Sequence, residues 1–194
     1  MMKKLFCAVF FSLMMSQAVM ADDKDTAETF IRCRLCAVMS VLQNKDISRE
    51  EKSSRITEIV RPMFDFSRMA KLTLGKRYWP GLSKEIQARF TEDFAKLLEE
   101  SYRNKLLSYT DEKIVYEAPL QVKKKVHVPT YLVSENNKTS IIYKLYKPQN
   151  CWKIYDIEIQ GVSIIQTYRS QFTQILKSGT IDDLLLKLGE LVDS

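Results

Sequence analysis

Three sets of side chains in this sequence have chemistry to offer. Cys33 and Cys36 form C-R-L-C, His127 is the only histidine, and Asp156 lies within W-K-I-Y-D-I-E-I between aromatic and aliphatic neighbours. On a helix, C-x-x-C reads as two small apolar residues, as a disulfide joining adjacent turns in an oxidising compartment, or, with His127, as part of a zinc site. No strand precedes the pair, and Ala37 stands where haem attachment would need a histidine. A buried Asp156 would have a raised pKa and could serve as a general base. Paired with a cation or a helix start, it would be structural. His127 falls in an alternating run with no nucleophile near it in sequence, as a structural or surface histidine would. There is no phosphate loop of the G-x-x-x-x-G-K-S/T type, and the chain has only five glycines. No catalytic constellation stands out.

The elements that must position these residues follow from periodicity. Apolar residues recur at helical spacing from about residue 23 to 44. Ser48 with Glu51 forms a capping box for a second helix reaching about residue 61. Asp65 caps a third, which Gly75 ends, and Ser83 caps the longest, running to about Leu107 with Ile86, Phe90, Phe94, Leu97, Leu98 and Tyr102 along one side. The period then changes to two. Strands are expected over 113–118, 122–133, 139–146 and 151–159, joined by short turns at Asn136-Asn137 and K-P-Q-N as an antiparallel meander. Pro129 cannot donate to a ladder and implies an edge or a bulge. After Gly161, helices are expected over about 163–177 and 180–192. Helices, sheet, helices make an α+β fold: a curved antiparallel sheet of about four strands covered by several helices.

Residues 1–21 read as a signal peptide. Lys3 and Lys4 precede an apolar run over 5–15, and Val19-Met20-Ala21 closes it before Asp22 and Asp23. The run is shorter than the ~20 residues a bilayer span needs. Residues 22–194 then form one domain, soluble and exported. Without Lys3 and Lys4 it holds 28 basic against 24 acidic residues, an excess too mild and dispersed for a nucleic-acid partner. Lys123-Lys124-Lys125 reads as a solvated strand start. The three remaining cysteines, Cys33, Cys36 and Cys151, are an odd number and cannot close a disulfide framework.

The apolar residues say more than the reactive ones. The segments 64–79 and 90–102 carry more large apolar side chains than a narrow contact stripe needs. A well-filled core would use them, and so would an apolar cavity. F-D-F-S-R-M-A at 64–70, R-F-x-x-x-F at 89–94, and W-K-I-Y-D followed by G-V-S and Y-R-S-Q-F over 152–172 resemble the MlaC family, also known as the toluene-tolerance or Ttg2-type family. The resemblance runs from about Ala27 to Leu188. It implies an NTF2-like fold enclosing an apolar cavity, and a monomeric periplasmic phospholipid carrier that maintains outer-membrane lipid asymmetry. Its partners would be an inner-membrane Mla-type ABC transporter complex and an outer-membrane lipoprotein complex. It would have no enzymatic activity, no metal and no cofactor, phospholipid being its cargo.

On that reading the lipid-binding residues expected are Phe66, Met69, Leu72, Trp79, Phe90, Phe94, Leu98, Tyr102, Ile142, Val162, Ile165 and Tyr168, with Val162 and Ile165 at the pocket mouth. Asp156, Gly161 and Arg169 would support the joint between the last strand and the following helix. Two acyl chains would gain on the order of 20 kcal/mol in an apolar cavity, at about 0.8 kcal/mol per methylene. A bilayer offers much the same, so direction must come from partners. Two alternatives stay open: a small NTF2-like enzyme with Asp156 or His127 as base, and a thiol-redox protein using Cys33 and Cys36.

Overall fold

A computed structural model describes residues 22–109, 112–135 and 137–192. The expected signal peptide and the turn residue Asn136 lie outside these. Helix α1 (Asp23–Gln43) leads to α2 (Arg49–Val60), α3 (Phe66–Tyr78) and α4 (Lys84–Leu107). The strands are β1 (Lys113–Tyr116), β2 (Leu120–Val122), β3 (Lys125–Ser134), β4 (Asn137–Tyr146), β5 (Lys153–Ile159) and β6 (Val162–Ser163). Helices α5 (Ile164–Ser178) and α6 (Ile181–Val192) follow.

Side-chain caps set the helix starts. Ser48 Oγ accepts from the Glu51 N–H, Asp65 from Arg68, Ser83 from Ile86, and Ser163 from Gln166. Thr180 and Asp183 cap α6 reciprocally: the Thr180 hydroxyl accepts from the Asp183 N–H, and the Asp183 carboxylate accepts from the Thr180 N–H. Helix α3 bends at Gly75, whose φ of 67° and ψ of −173° belong to a region that side-chain-bearing residues avoid.

The sheet has six strands in the order β1-β3-β4-β5-β6, all pairs antiparallel, with β2 also against β3. The strand expected over 113–118 ends at Tyr116, and a second short piece, β2, follows it on the same edge of β3. Pro129 explains the break. It sits in a central strand, opposite Ile142 of β4, and its carbonyl accepts from the Glu117 N–H. In an antiparallel strand a residue's N–H and C=O point the same way. The donor that proline lacks would thus face the gap after β1. The sequence expectation of an edge or bulge is corrected to an interrupted neighbour.

A bulge shapes the other side of the sheet. Lys144 pairs with Asp156 and Leu145 with Ile154, so Tyr155 is an extra residue in β5. Alternation restarts beyond it, and Ile154, Ile157 and Ile159 reach one face despite their uneven spacing. At the end of β5, Gln160 and Gly161 both take positive φ, making the two-residue hairpin that turns into β6.

One core cluster joins α3, α4, α5 and α6 around Phe90, Phe94, Phe172 and Leu184, where Phe94 and Phe172 meet edge to face at 5.7 Å. A second seats Ala27 and Ile31 of α1 on Val126, Val128, Leu145 and Ile154. A third joins Val38, Leu42 and Ile56 between α1 and α2. Helices and sheet are left with a space between them.

Candidate functional site

That space is an apolar cavity of about 220 Å³. Its floor is the sheet, through Ile141 and Tyr143 of β4 and Ile154, Ile157 and Ile159 of β5. Leu35 and Val38 of α1, Ile56 and Val60 of α2, and Met63 and Phe64 form one wall. Phe66 and Met69 of α3, with Leu98, Tyr102, Leu106 and Leu107 of α4, form the other. Polar groups are few: Ser53, Thr57, Arg61, Glu99, Arg103, Lys105 and Thr139, besides the tyrosine hydroxyls. Burial pushes the Tyr143 hydroxyl far above the usual phenol range, with the neighbouring Tyr116 and Tyr109 adding to the effect. Burial also raises Tyr102, with Tyr168 contributing. These hydroxyls stay neutral at any physiological pH, so the interior carries no phenolate.

Arg61 closes one side of the cavity. Its guanidinium donates to Glu99 at 2.5 Å and to Glu92 at 2.7 Å, both on α4, and lies 5.7 Å from the Phe66 ring. Farther along, Arg49 of α2 donates to Asn104 of α4. The two contacts run α2 antiparallel to α4. Only Ile56 of α2 is fully buried, among Val38 and Leu42 of α1, with Ile59 and Val60 packed beside it.

Four of the twelve apolar residues expected at the site line the cavity: Phe66, Met69, Leu98 and Tyr102. Trp79, Phe90, Phe94 and Ile165 are buried instead in the α3–α6 core, and Leu72 and Tyr168 pack against it. Helical spacing makes a core stripe and a cavity wall look alike, and the outcome depends on which neighbours fill the facing space. Ile142 is displaced by the period of two: Ile141 and Tyr143 line the cavity, so Ile142 lies on the opposite face of β4. Val162 is 59% exposed in β6 and does not line the cavity, whereas Ile164 does.

Of the three residues expected to support the joint, Asp156 and Gly161 stand between β5 and α5, and Arg169 lies apart from them, at the bend of α3. Asp156 is buried and accepts from Lys144 Nζ at 3.1 Å, from the Ser163 hydroxyl at 2.8 Å and from the Ile165 N–H at 3.2 Å. It thus ties β4 and β5 to the first turn of α5. Burial works against the Lys144 charge, but hydrogen bonds and ion pairs with Glu158 and Asp156 win, and its pKa is raised. Gly161 makes the hairpin turn, and the Arg169 guanidinium packs over Gly75 at the bend of α3.

The reactive residues lie elsewhere. Cys33, Cys36 and Cys151 are free and exposed, and none lines the cavity. His127 is on the outer sheet face, its Nε2 3.3 Å from the Tyr155 hydroxyl. Among the described residues, no three His, Cys, Asp or Glu side chains come together to hold a metal ion.

Residues 35–190 match the family described as MlaC protein. The chain belongs to the MlaC family. The intermembrane phospholipid transport system binding protein MlaC of Haemophilus influenzae is 26% identical over 119 residues, 58% of this chain and 56% of that one. The toluene tolerance protein ttg2D of Pseudomonas putida is 24% identical over 124 residues, 63% and 58%. The chain thus spans little more than half the length of these two curated relatives. A phospholipid-binding protein from Ralstonia solanacearum, solved in complex with a phospholipid, superposes with a TM-score of 0.78 at 24% identity, covering 86% of this chain and 97% of that one. The MlaC-family chain shares its fold: an open six-stranded antiparallel sheet and six α-helices.

Proposed function

We propose that this chain is a periplasmic phospholipid carrier, exported by the signal peptide at residues 1–21 and folded as one domain thereafter. In this reading it takes lipid between an inner-membrane ABC transporter complex and an outer-membrane lipoprotein complex, and so maintains outer-membrane lipid asymmetry. The observation that carries the proposal is the cavity: an isoleucine-rich floor and aliphatic and aromatic walls, in a member of the MlaC family. Such a lining solvates acyl chains about as well as a bilayer does, at roughly 0.8 kcal/mol per methylene, so lipid can pass either way at little net cost. The carrier makes and breaks no covalent bond, and direction is left to its partners. Lipid extraction and mass spectrometry of the protein purified from a periplasm test the reading. The expected result is close to one phospholipid per chain; protein that is lipid-free after gentle purification and takes up none from vesicles overturns it.

A further inference from the structure

The cysteine pair of α1 has no share in the cavity, and both thiols are open to solvent. Cys33 and Cys36 are free and exposed. The residues that α1 buries, Ala27, Ile31, Val38 and Leu42, fall on the other side of the helix, so a change at the pair need not unpack the core. Burial, opposed by the charge of Arg32, holds the Tyr116 phenol above its usual range. Charge on Cys36 and Cys33 adds to the rise, so both thiols stand near that one ring. Three residues along a helix bring Cα atoms to about 5 Å, inside the roughly 4.4–6.8 Å that a disulfide spans. Their Cβ atoms are roughly 5–6 Å apart, against roughly 3.5–4.5 Å in a disulfide. Closing the bond therefore tightens the turn from Cys33 to Cys36 by about 1–2 Å. A disulfide that strains its backbone is one that thiols reopen readily.

We propose that Cys33 and Cys36 form a thiol–disulfide exchange site, closed by a disulfide-bearing oxidant and reopened by thiols. The site is a reversible modification of α1 and leaves the carrier reading as it stands. The thiolate of one cysteine attacks a sulfur of the oxidant, which forms a mixed disulfide and releases the other sulfur as a thiolate. The second cysteine gives its proton to water and attacks the first, closing the Cys33–Cys36 bond and expelling the remaining oxidant sulfur. Overall the chain loses two thiol protons and two electrons, and one S–S bond of the oxidant becomes two thiols. Reopening is the reverse, with the electrons supplied by the incoming thiols. Cys151 is equally exposed but has no cysteine three residues away, so it can take up a mixed disulfide without resolving it.

The test equilibrates the full chain with mixtures of reduced and oxidised glutathione, quenches it with N-ethylmaleimide, and locates the products by peptide mass spectrometry. In the wild type, Cys33 and Cys36 are expected joined and two hydrogens lighter in oxidising mixtures, and open in reducing ones, while Cys151 carries the glutathione adduct. Cys36→Ser should trap the adduct on Cys33. With glutathione about tenfold more dilute than the millimolar effective concentration of a tethered neighbour, the trapped adduct should exceed the wild-type level on Cys33 about tenfold. Adducts on wild-type Cys33 or Cys36 as abundant as on Cys151 would mean that the two sulfurs do not meet, and overturn the site. A bond that stays closed in the most reducing mixture would make it a fixed staple and overturn exchange. A bond from either cysteine to Cys151, or no oxidation at all, overturns the pair as well. Lipid content plays no part in the readout, so each of these failures leaves the carrier reading standing.

Discussion

Arg61 reaches from the turn after α2 to Glu99 of α4, its Nη1 2.5 Å from the carboxylate, and so bridges the helix with the smallest buried share to the helix that walls the cavity. At about 220 Å³ the cavity is smaller than the roughly 300–1,000 Å³ typical of pockets that enclose a small-molecule ligand. Two acyl chains therefore need a wall to yield, and α2 is the wall with the smallest buried share. Arg61→Met should speed exchange of a fluorescent phospholipid between protein and vesicles. Because the pair is partly exposed, its loss should cost only about 1 kcal/mol, a fall in Tm of about 2–4 °C. Exchange no faster than in the wild type would reject α2 as the yielding wall.

Charge placed on the cavity floor and charge placed on the nearby surface should separate cleanly. Ile141→Glu sets a carboxylate among apolar side chains, where an ionised group without a partner is strongly disfavoured. Lipid recovered by extraction should fall sharply. Val162→Glu puts the same group on an exposed position, and both lipid content and melting temperature should stay near wild type, within about 0.5 kcal/mol. Loss of lipid in the Val162 variant, with Ile141→Glu still loaded, would reverse the assignment of the two.

Burial lowers the His127 pKa below its ordinary 6.5, and the Lys144 and Lys125 charges push it the same way. The unfolded chain therefore binds a proton that the folded chain resists. Stability contributed by neutral His127 is present above pH 6.5 and is lost as pH falls from there toward the lower folded value. Melting followed by circular dichroism from pH 7.5 to 5 should show a steeper decline in the wild type than in His127→Gln. Parallel curves would mean that His127 does not contribute to the acid sensitivity.

Gly75→Ala tests the bend in α3. The backbone there has a φ of 67°, and an added methyl carbon would sit 3.3 Å from Arg169 Nη2. The strain should cost about 1–3 kcal/mol. A melting temperature equal to wild type would mean that α3 straightens without loss.

Helix starts were legible because a cap is a local event. Ser48, Asp65, Ser83 and Ser163 each bond a backbone N–H three residues on, and the sequence places each start within a residue of where it falls. The cavity floor was harder to read. Ile141 and Ile142 are adjacent and identical, and only the pairing of β4 decides which faces inward. The extra residue Tyr155 shifts the phase within β5, so a uniform alternation misassigns one end of that strand. Phe90 and Phe94 were expected at the site and stand in the core, because α5 and α6 pack against them through Phe172 and Leu184. Ile56 and Val60 give a weak signal because α2 is wholly polar from Arg49 to Arg55, although their spacing of four residues puts both on one helix face.

The interruption between β1 and β2 also bears on what this molecule can avoid. A sheet edge is a template: its unpaired N–H and C=O groups invite a strand from another copy. Here that edge consists of one four-residue piece and one three-residue piece, separated at Glu117, Ala118 and Pro119. An incoming strand could keep register for only a turn-length before meeting a proline with no donor to offer. Val115, Leu120 and Val122 can therefore stay exposed on that border without seeding stacked copies of the chain.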